Sequence, residues 1–472
     1  MIPRRKTVSL LAIAALALGL IGAAGASPNR APGTDMDGEE RYLVVFRGQG
    51  IPNNAEAIIS NAGGTLVSAL PGVGLGFATS TDPGFAAALR GNNQVAEVDV
   101  EPRYALPETA TSQPVATETD PTEAAFWDLQ WNIRRVHAPD AWDTTTGSHD
   151  TVVAVIDTGV AWNHPDLAAN VVYSACFSTA EWECSEYPDL HWHGTHVAGT
   201  VAATGAVGVA GVGPDLGIAS YNVFELMEVD EGEFAVLASF EAIAAAMLDA
   251  AAQGFDVINM SLGSFVDMAE GRDSAAAWTA VQRVGQAVQR QGVTTIVSAG
   301  NAAFSLNGRV KSLPGGAAAN TNVAATGIRP LPEYPTQNAY DVLAFYSNYG
   351  ASVEVAAPGG DCGLPDSCDP ATRPPNFLDY TILSSFVDLS VTHPDQIPPC
   401  VETENCPVMW GFAIGTSMAA PHVAGVAGLV RDQYPHLTAN QVASRLTRTA
   451  EPLGDRQLFG HGMVDANAAV TR

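Results

Sequence analysis

The chain has 472 residues, 47% of them hydrophobic and 15% charged, with 45 glycines. That composition supports two or three packed units and excludes general disorder. The balance of 22 basic against 50 acidic side chains gives a formal charge of -28, which repels phosphate backbones and excludes nucleic acid as a partner.

The chain opens on Arg4, Arg5 and Lys6, then runs apolar from Val8 to about Ala24. Ala24-Gly25-Ala26 offers small residues for cleavage. This is the layout of a secretory signal peptide over 1–26, with a retained anchor as the alternative. No other stretch approaches the length of a membrane span. The expected location is therefore extracellular, with no membrane contact once the signal is gone. The six cysteines fall into near-neighbour pairs: Cys176 with Cys184, Cys362 with Cys368, Cys400 with Cys406. In an exported chain these read as local disulfides pinning loops. None has the Cys-x2-Cys spacing that zinc sites prefer.

Residues 27–40 are rich in Pro, Gly and acid and read as a loose leader. Arg41 to Phe46 reads as a strand, 53–62 as a helix, and Thr65 to Thr79 as two strands bent at Pro71-Gly72. A helix is expected from Pro83 to Arg90, capped by Asp82 with proline in its first turn. Val95 to Val100 is a last strand. The order βαββαβ describes a small ferredoxin-like α+β unit. Residues 107–124 are full of Thr, Pro and Glu, without apolar period, and read as a linker.

A second pattern starts near Phe126. Strand-like runs recur at Val152–Ile156, Ile218–Val223, Val257–Met260, Val293–Ser298 and Val353–Ala356, and helical stretches at 234–252, 274–290 and 418–432 separate most of them. The alternation implies an α/β unit, a mostly parallel sheet with helices on both faces. Chemistry in such sheets gathers at the carboxyl ends of strands.

Four places carry candidate chemistry. Asp157 ends the apolar run Val152-Val153-Ala154-Val155-Ile156 and precedes Thr158-Gly159; a carboxylate there can hold an imidazole, although a lone Asp more often caps a turn. His193 lies in His191-Trp192-His193-Gly194-Thr195-His196, at the start of a helical stretch where an imidazole can act as general base. His191, His193 and His196 also have a spacing that some zinc sites use, so a metallohydrolase is the competing reading. Val297-Ser298-Ala299-Gly300-Asn301 ends a strand in an amide that can donate to an oxyanion, or simply turn the chain. Ser417 in Gly415-Thr416-Ser417-Met418-Ala419 opens a helix, near free N–H groups and a positive dipole end. On its own it reads equally well as a helix cap.

The order Asp, His, Ser is that of subtilisin. The chain resembles the subtilisin-like serine proteases across about 126–472. The resemblance rests on Ala154-Val155-Ile156-Asp157-Thr158-Gly159, on His193-Gly194-Thr195-His196-Val197-Ala198-Gly199, and on Gly415-Thr416-Ser417-Met418-Ala419 with Pro421-His422. It implies a serine endopeptidase acting on protein or peptide substrates through an acyl-enzyme. Ser417 would be the nucleophile, His193 the base and Asp157 its orienting partner. Asn301 and the Ser417 N–H would form the oxyanion hole. Asn259-Met260-Ser261-Leu262-Gly263 resembles the substrate-binding strand, with Ser261, Leu262 and Gly263 facing the substrate and Ser298, Ala299 and Gly300 opposite. A catalytically silent binding protein on the same fold is the other alternative.

Residues 41–104 resemble the propeptide of the family, which chaperones and inhibits the enzyme before it is removed. The expected division is signal 1–26, propeptide 27–107, linker with the processing site 108–124, and peptidase 125–472, working as a monomer. The resemblance implies no cofactor for the chemistry and leaves calcium as a candidate structural ion. Asp166 in His164-Pro165-Asp166-Leu167 matches one calcium ligand of many members. The loop Thr204-Gly205-Ala206-Val207-Gly208 lacks the Asn they use. Thr381-Ile382-Leu383-Ser384-Ser385 is expected to keep a family strand, flanked by cysteine-bearing insertions at 361–378 and 387–409.

Overall fold

A computed structural model of the chain describes residues 39–106, 113–115, 124–177, 191–230, 232–268, 274–331, 334–364, 368–369, 371–391, 393 and 406–472. The expected signal peptide, Cys184 and Cys400 lie outside the described residues.

The N-terminal unit follows the sequence pattern. Strands Glu40–Phe46, Thr65–Leu70, Leu75–Ser80 and Val95–Val100 form an antiparallel four-stranded sheet, with the first strand between the third and fourth. Helices Ala55–Asn61 and Phe85–Arg90 cover it, burying Ile58, Ile59, Phe85 and Leu89 against Val44 and Phe46. The second helix starts later than expected. Asp82 turns the Pro83-Gly84 step by accepting from Gly84 N at 2.7 Å, and the helix then begins without a side-chain cap.

The larger unit is built on an eight-stranded sheet. Val152–Asp157 is central, flanked in parallel by Gly217–Asn222 and Val257–Met260. Thr294–Ser298, Asn320–Leu331 and Val355–Pro358 continue the parallel run on one side, and Val171–Cys176 on the other. Tyr334–Leu343 is the antiparallel exception, folding back on Asn320–Leu331. Central strands are buried on both faces, which is why they read as unbroken apolar runs. On one face pack helices Trp192–Ala202, Thr416–Gln433, Ala439–Thr449 and Ala466–Thr471. On the other lie Phe240–Gln253 and Ala275–Arg290, with Leu43, Val45, Leu75 and Phe77 of the N-terminal sheet packed into the same core.

The helix expected over 234–252 begins only at Phe240. Glu233–Ser239 is instead a strand, paired with Phe224–Asp230 as a hairpin. Ser239 then caps the helix by accepting from Ala242 N at 3.0 Å. A short apolar run such as Phe234–Leu237 has no period that separates strand from helix; its partner strands decide.

The two units are joined by specific polar contacts. Glu101 accepts from Glu241 N at 2.7 Å at the start of helix Phe240–Gln253, where the dipole favours an anion. Arg41 pairs with Glu101 at 2.7 Å and with Glu241. Arg283 donates to the carbonyls of Phe46, Gly48 and Val73. Arg103–Ala105 then joins the larger unit as a strand, antiparallel to Leu237–Ser239.

Candidate active site

Strand Val152–Asp157 delivers Asp157 to its carboxyl end, fully buried. The chain turns at Gly159, whose φ of 95° suits glycine. The helix carrying His193 packs directly on this turn. A Cβ on Gly194 would come within 2.1 Å of Gly159 O, so only glycine lets the two segments meet. Thr158 fastens them, donating to His191 O at 2.9 Å and accepting from Gly194 N at 3.0 Å. His191 caps the helix, its Nδ1 accepting from His193 N at 3.2 Å. His193 thereby sits in the first turn with Nδ1 2.7 Å from Asp157 Oδ1. Asp157 Oδ1 also accepts from Thr158 N at 2.8 Å. His193 Nε2 is buried without a hydrogen-bond partner.

Ser417 is the second residue of helix Thr416–Gln433, so it is not the cap; Gly415 holds that position. Pro421 lies in the same helix and has no N–H for the carbonyl four residues earlier, which is that of Ser417. Ser261 Oγ supplies the missing donor at 2.8 Å, and Ser417 Oγ donates to Ser261 O at 3.2 Å. Asn259 Nδ2 in turn holds Ser261 Oγ at 3.1 Å. These bonds anchor the helix start to the end of a strand adjacent to that of Asp157.

Asn301 follows Gly300, another positive-φ glycine at 95°. Its Oδ1 accepts from Thr416 N at 2.9 Å and Thr416 Oγ1 at 2.7 Å. That fixes the amide orientation and leaves Nδ2 buried without a partner. Thr416 Oγ1 also accepts from Gly300 N at 3.1 Å. Sequence reasoning assigned Thr416 no role. It stands inside the Gly415-Thr416-Ser417 motif, but a side chain that aims another shows only in the folded structure.

The expected substrate-facing segments flank this site. Leu262 and Ser261 are buried, and Gly263 pairs antiparallel with Ala105. Ser298 Oγ reaches Leu262 O at 3.5 Å, so the two walls touch at their base. Ala299 is buried and Gly300 is half-buried. The N-terminal unit's own Arg103-Tyr104-Ala105 thus lies between Leu237–Ser239 and Gly263.

The zinc alternative fails on geometry. His196 Nε2 lies 3.1 Å from Ile382 O, where it can only donate, and His191 Nδ1 is engaged by a backbone N–H. Burial pushes both rings down to about 3, so they are neutral. Among the described residues no three metal-capable side chains cluster. Asp166 does not fit calcium either. It is fully buried, and its carboxylate accepts from Val207 N at 2.8 Å, Gly208 N at 2.9 Å, Val209 N at 3.1 Å and Trp410 Nε1 at 2.8 Å. Four inward N–H groups occupy the oxygens a cation would need and would repel it.

The Cys362–Cys368 disulfide expected from spacing is present, and Cys176 and Cys406 are also disulfide-bonded. The family strand expected at 381–385 is Ile382–Val387, antiparallel to Val408–Ala413.

The subtilase family model matches residues 148–462. The chain belongs to the subtilase family. Over 318 residues it is 32% identical to subtilisin DY of Bacillus licheniformis, covering 67% of this chain and 89% of that one. It is 30% identical to halolysin of Haloferax mediterranei over 483 aligned positions, 99% of this chain and 76% of that one. In three dimensions it resembles the epidermin leader peptide processing serine protease of Staphylococcus aureus, with a TM-score of 0.66 at 20% identity, covering 92% and 98% of the two chains. This subtilase is a serine endopeptidase with a subtilisin-like fold, and its chemistry needs no cofactor.

Proposed function

We propose that Asp157, His193 and Ser417 are the catalytic triad and that Asn301 Nδ2 and the Ser417 N–H bind the oxyanion. The observation carrying this reading is the 2.7 Å contact between buried His193 Nδ1 and Asp157 Oδ1, with Nε2 left open. Asp157 holds the tautomer in which Nε2 is basic and stabilises the imidazolium that follows. Ser417 loses its proton to Nε2 as Oγ attacks the peptide carbonyl; His193 then returns that proton to the leaving amine. Asn301 Nδ2 has no other hydrogen bond to give up when the oxyanion forms, so its donation is preorganised. Ser261, Leu262 and Gly263 on one side, and Ser298, Ala299 and Gly300 on the other, hold an extended substrate between them.

Residues 27–107 act as an inhibitory propeptide of an exported zymogen, and the working enzyme is a monomer beginning near residue 125. Support comes from Arg103–Ala105, which adds as a strand where a substrate would lie, and from the basic, apolar, small-residue start of the chain. The test is expression of Ser417→Ala in a protease-free host. The full precursor should accumulate while the wild type yields a shorter chain starting within 104–124. Equal processing of both would refute self-cleavage.

A further inference from the structure

The docked strand Arg103–Ala105 pairs with Leu237–Ser239 on one side and with Gly263 on the other. Across the three-stranded arrangement, Ala105 faces Leu237, and Leu237 faces Glu225. In the neighbouring row, Tyr104 faces Ala238, and Ala238 faces Phe224. Residues opposite one another share a face, and alternate residues along a strand do too. Tyr104 therefore enters the apolar core, stacked on Phe240 at 6.3 Å between ring centroids. Arg103 projects to the opposite face, the one that carries Glu225. Its Nη1 lies 3.9 Å from Glu225 Oε1, and the two side chains are only 8% and 3% exposed.

We propose that Glu225 is a specificity residue for a cationic side chain two positions before the residue that pairs with Gly263. The inference rests on the protease reading above. Glu101 sits beside Arg103 in the precursor but belongs to the same departing segment. Glu225 stays with the enzyme, on a hairpin whose sequence also carries Glu228, Asp230 and Glu233. Once Arg103 leaves, the Glu225 carboxylate is presented beside the strand position, and a substrate Lys or Arg takes the place that Arg103 held. A substrate Glu there meets like charge in a partly desolvated slot. The preferred substrate is thus an extended polypeptide with a basic residue, then a bulky apolar or aromatic one, then a small one.

The experiment uses the processed enzyme and internally quenched peptides carrying the sequence of residues 101–106 followed by a Gly-Ser tail, with Arg, Ala or Glu at the place of Arg103. Wild type should cleave the Arg peptide with kcat/KM about fivefold above Ala and at least tenfold above Glu. Glu225→Gln should bring the three within about twofold while leaving the Ala peptide and fluorophosphonate labelling unchanged. Equal cleavage of the Arg and Glu peptides by wild type, in a preparation of which a separate aliquot takes up the fluorophosphonate, would overturn the inference and leave the protease reading standing. Persistence of the Arg preference in Glu225→Gln would overturn it as well. Absence of labelling in wild type would overturn both readings.

Discussion

Asp157 and Asp166 lie nine residues apart, and both are fully buried, yet they end in opposite conditions. Asp157 Oδ1 takes one backbone N–H and the His193 ring, and Oδ2 has no partner. Asp166 has four N–H donors from a loop and an indole. One corner is left under-satisfied beside a movable proton; the other is closed. Burial of a carboxylate therefore does not mark it as catalytic. A partner that can change protonation state, together with unfilled hydrogen-bonding capacity, is what supports the catalytic role proposed for Asp157.

The largest expected effect comes from Asp157→Asn. The amide keeps the shape but favours the wrong imidazole tautomer, so kcat should fall by about 10⁴, with little change in Tm. Asp166→Ala should do the reverse: it strands four buried donors, costing about 3–5 kcal/mol of stability. Activity per folded molecule should stay near wild type. Thermal unfolding and active-site titration of both variants decide the matter; a large kcat loss in well-folded Asp166→Ala would break the comparison. Trp410→Phe removes one of the four donors, and should cost about 1–3 kcal/mol in denaturant unfolding. If the variant gains stability from added calcium that wild type does not, the closed description of the Asp166 corner needs revision.

The histidines repeat the contrast. Burial pushes His191 and His196 down to about 3 and His422 to about 4. Their folded values lie below the ordinary 6.5, so the unfolded chain binds protons that the folded one refuses. The stability they contribute is complete above about pH 6.5 and is lost as pH falls toward 4 and 3. Each adds a slope of up to about 1.4 kcal/mol per pH unit in that window. Denaturant midpoints measured from pH 7 to pH 4 should fall steadily; a flat profile would mean that these rings are protonated in the fold.

Much of this was legible in the sequence because central parallel strands are buried on both faces and leave continuous apolar runs, as at Val152–Asp157. Their carboxyl ends then point to the places where Asp157 and Asn301 lie. The small antiparallel unit was equally readable from its βαββαβ order. Two kinds of feature were not. The strand Glu233–Ser239 depends on Phe224–Asp230 and on Arg103–Ala105, more than 100 residues earlier in the chain, and local periodicity does not carry that information. The aim of a side chain is also invisible. Thr416 orients Asn301, Ser261 replaces the N–H that Pro421 lacks, and Trp410 closes Asp166 from 244 residues away.

Ser417 is proposed above as the activated nucleophile of this site. A fluorophosphonate applied to the processed enzyme, followed by peptide mass mapping, tests it most directly. One equivalent should attach to Ser417, and Ser417→Ala should take up none. An unlabelled wild type after removal of its N-terminal unit, or a label on another residue, would contradict the account.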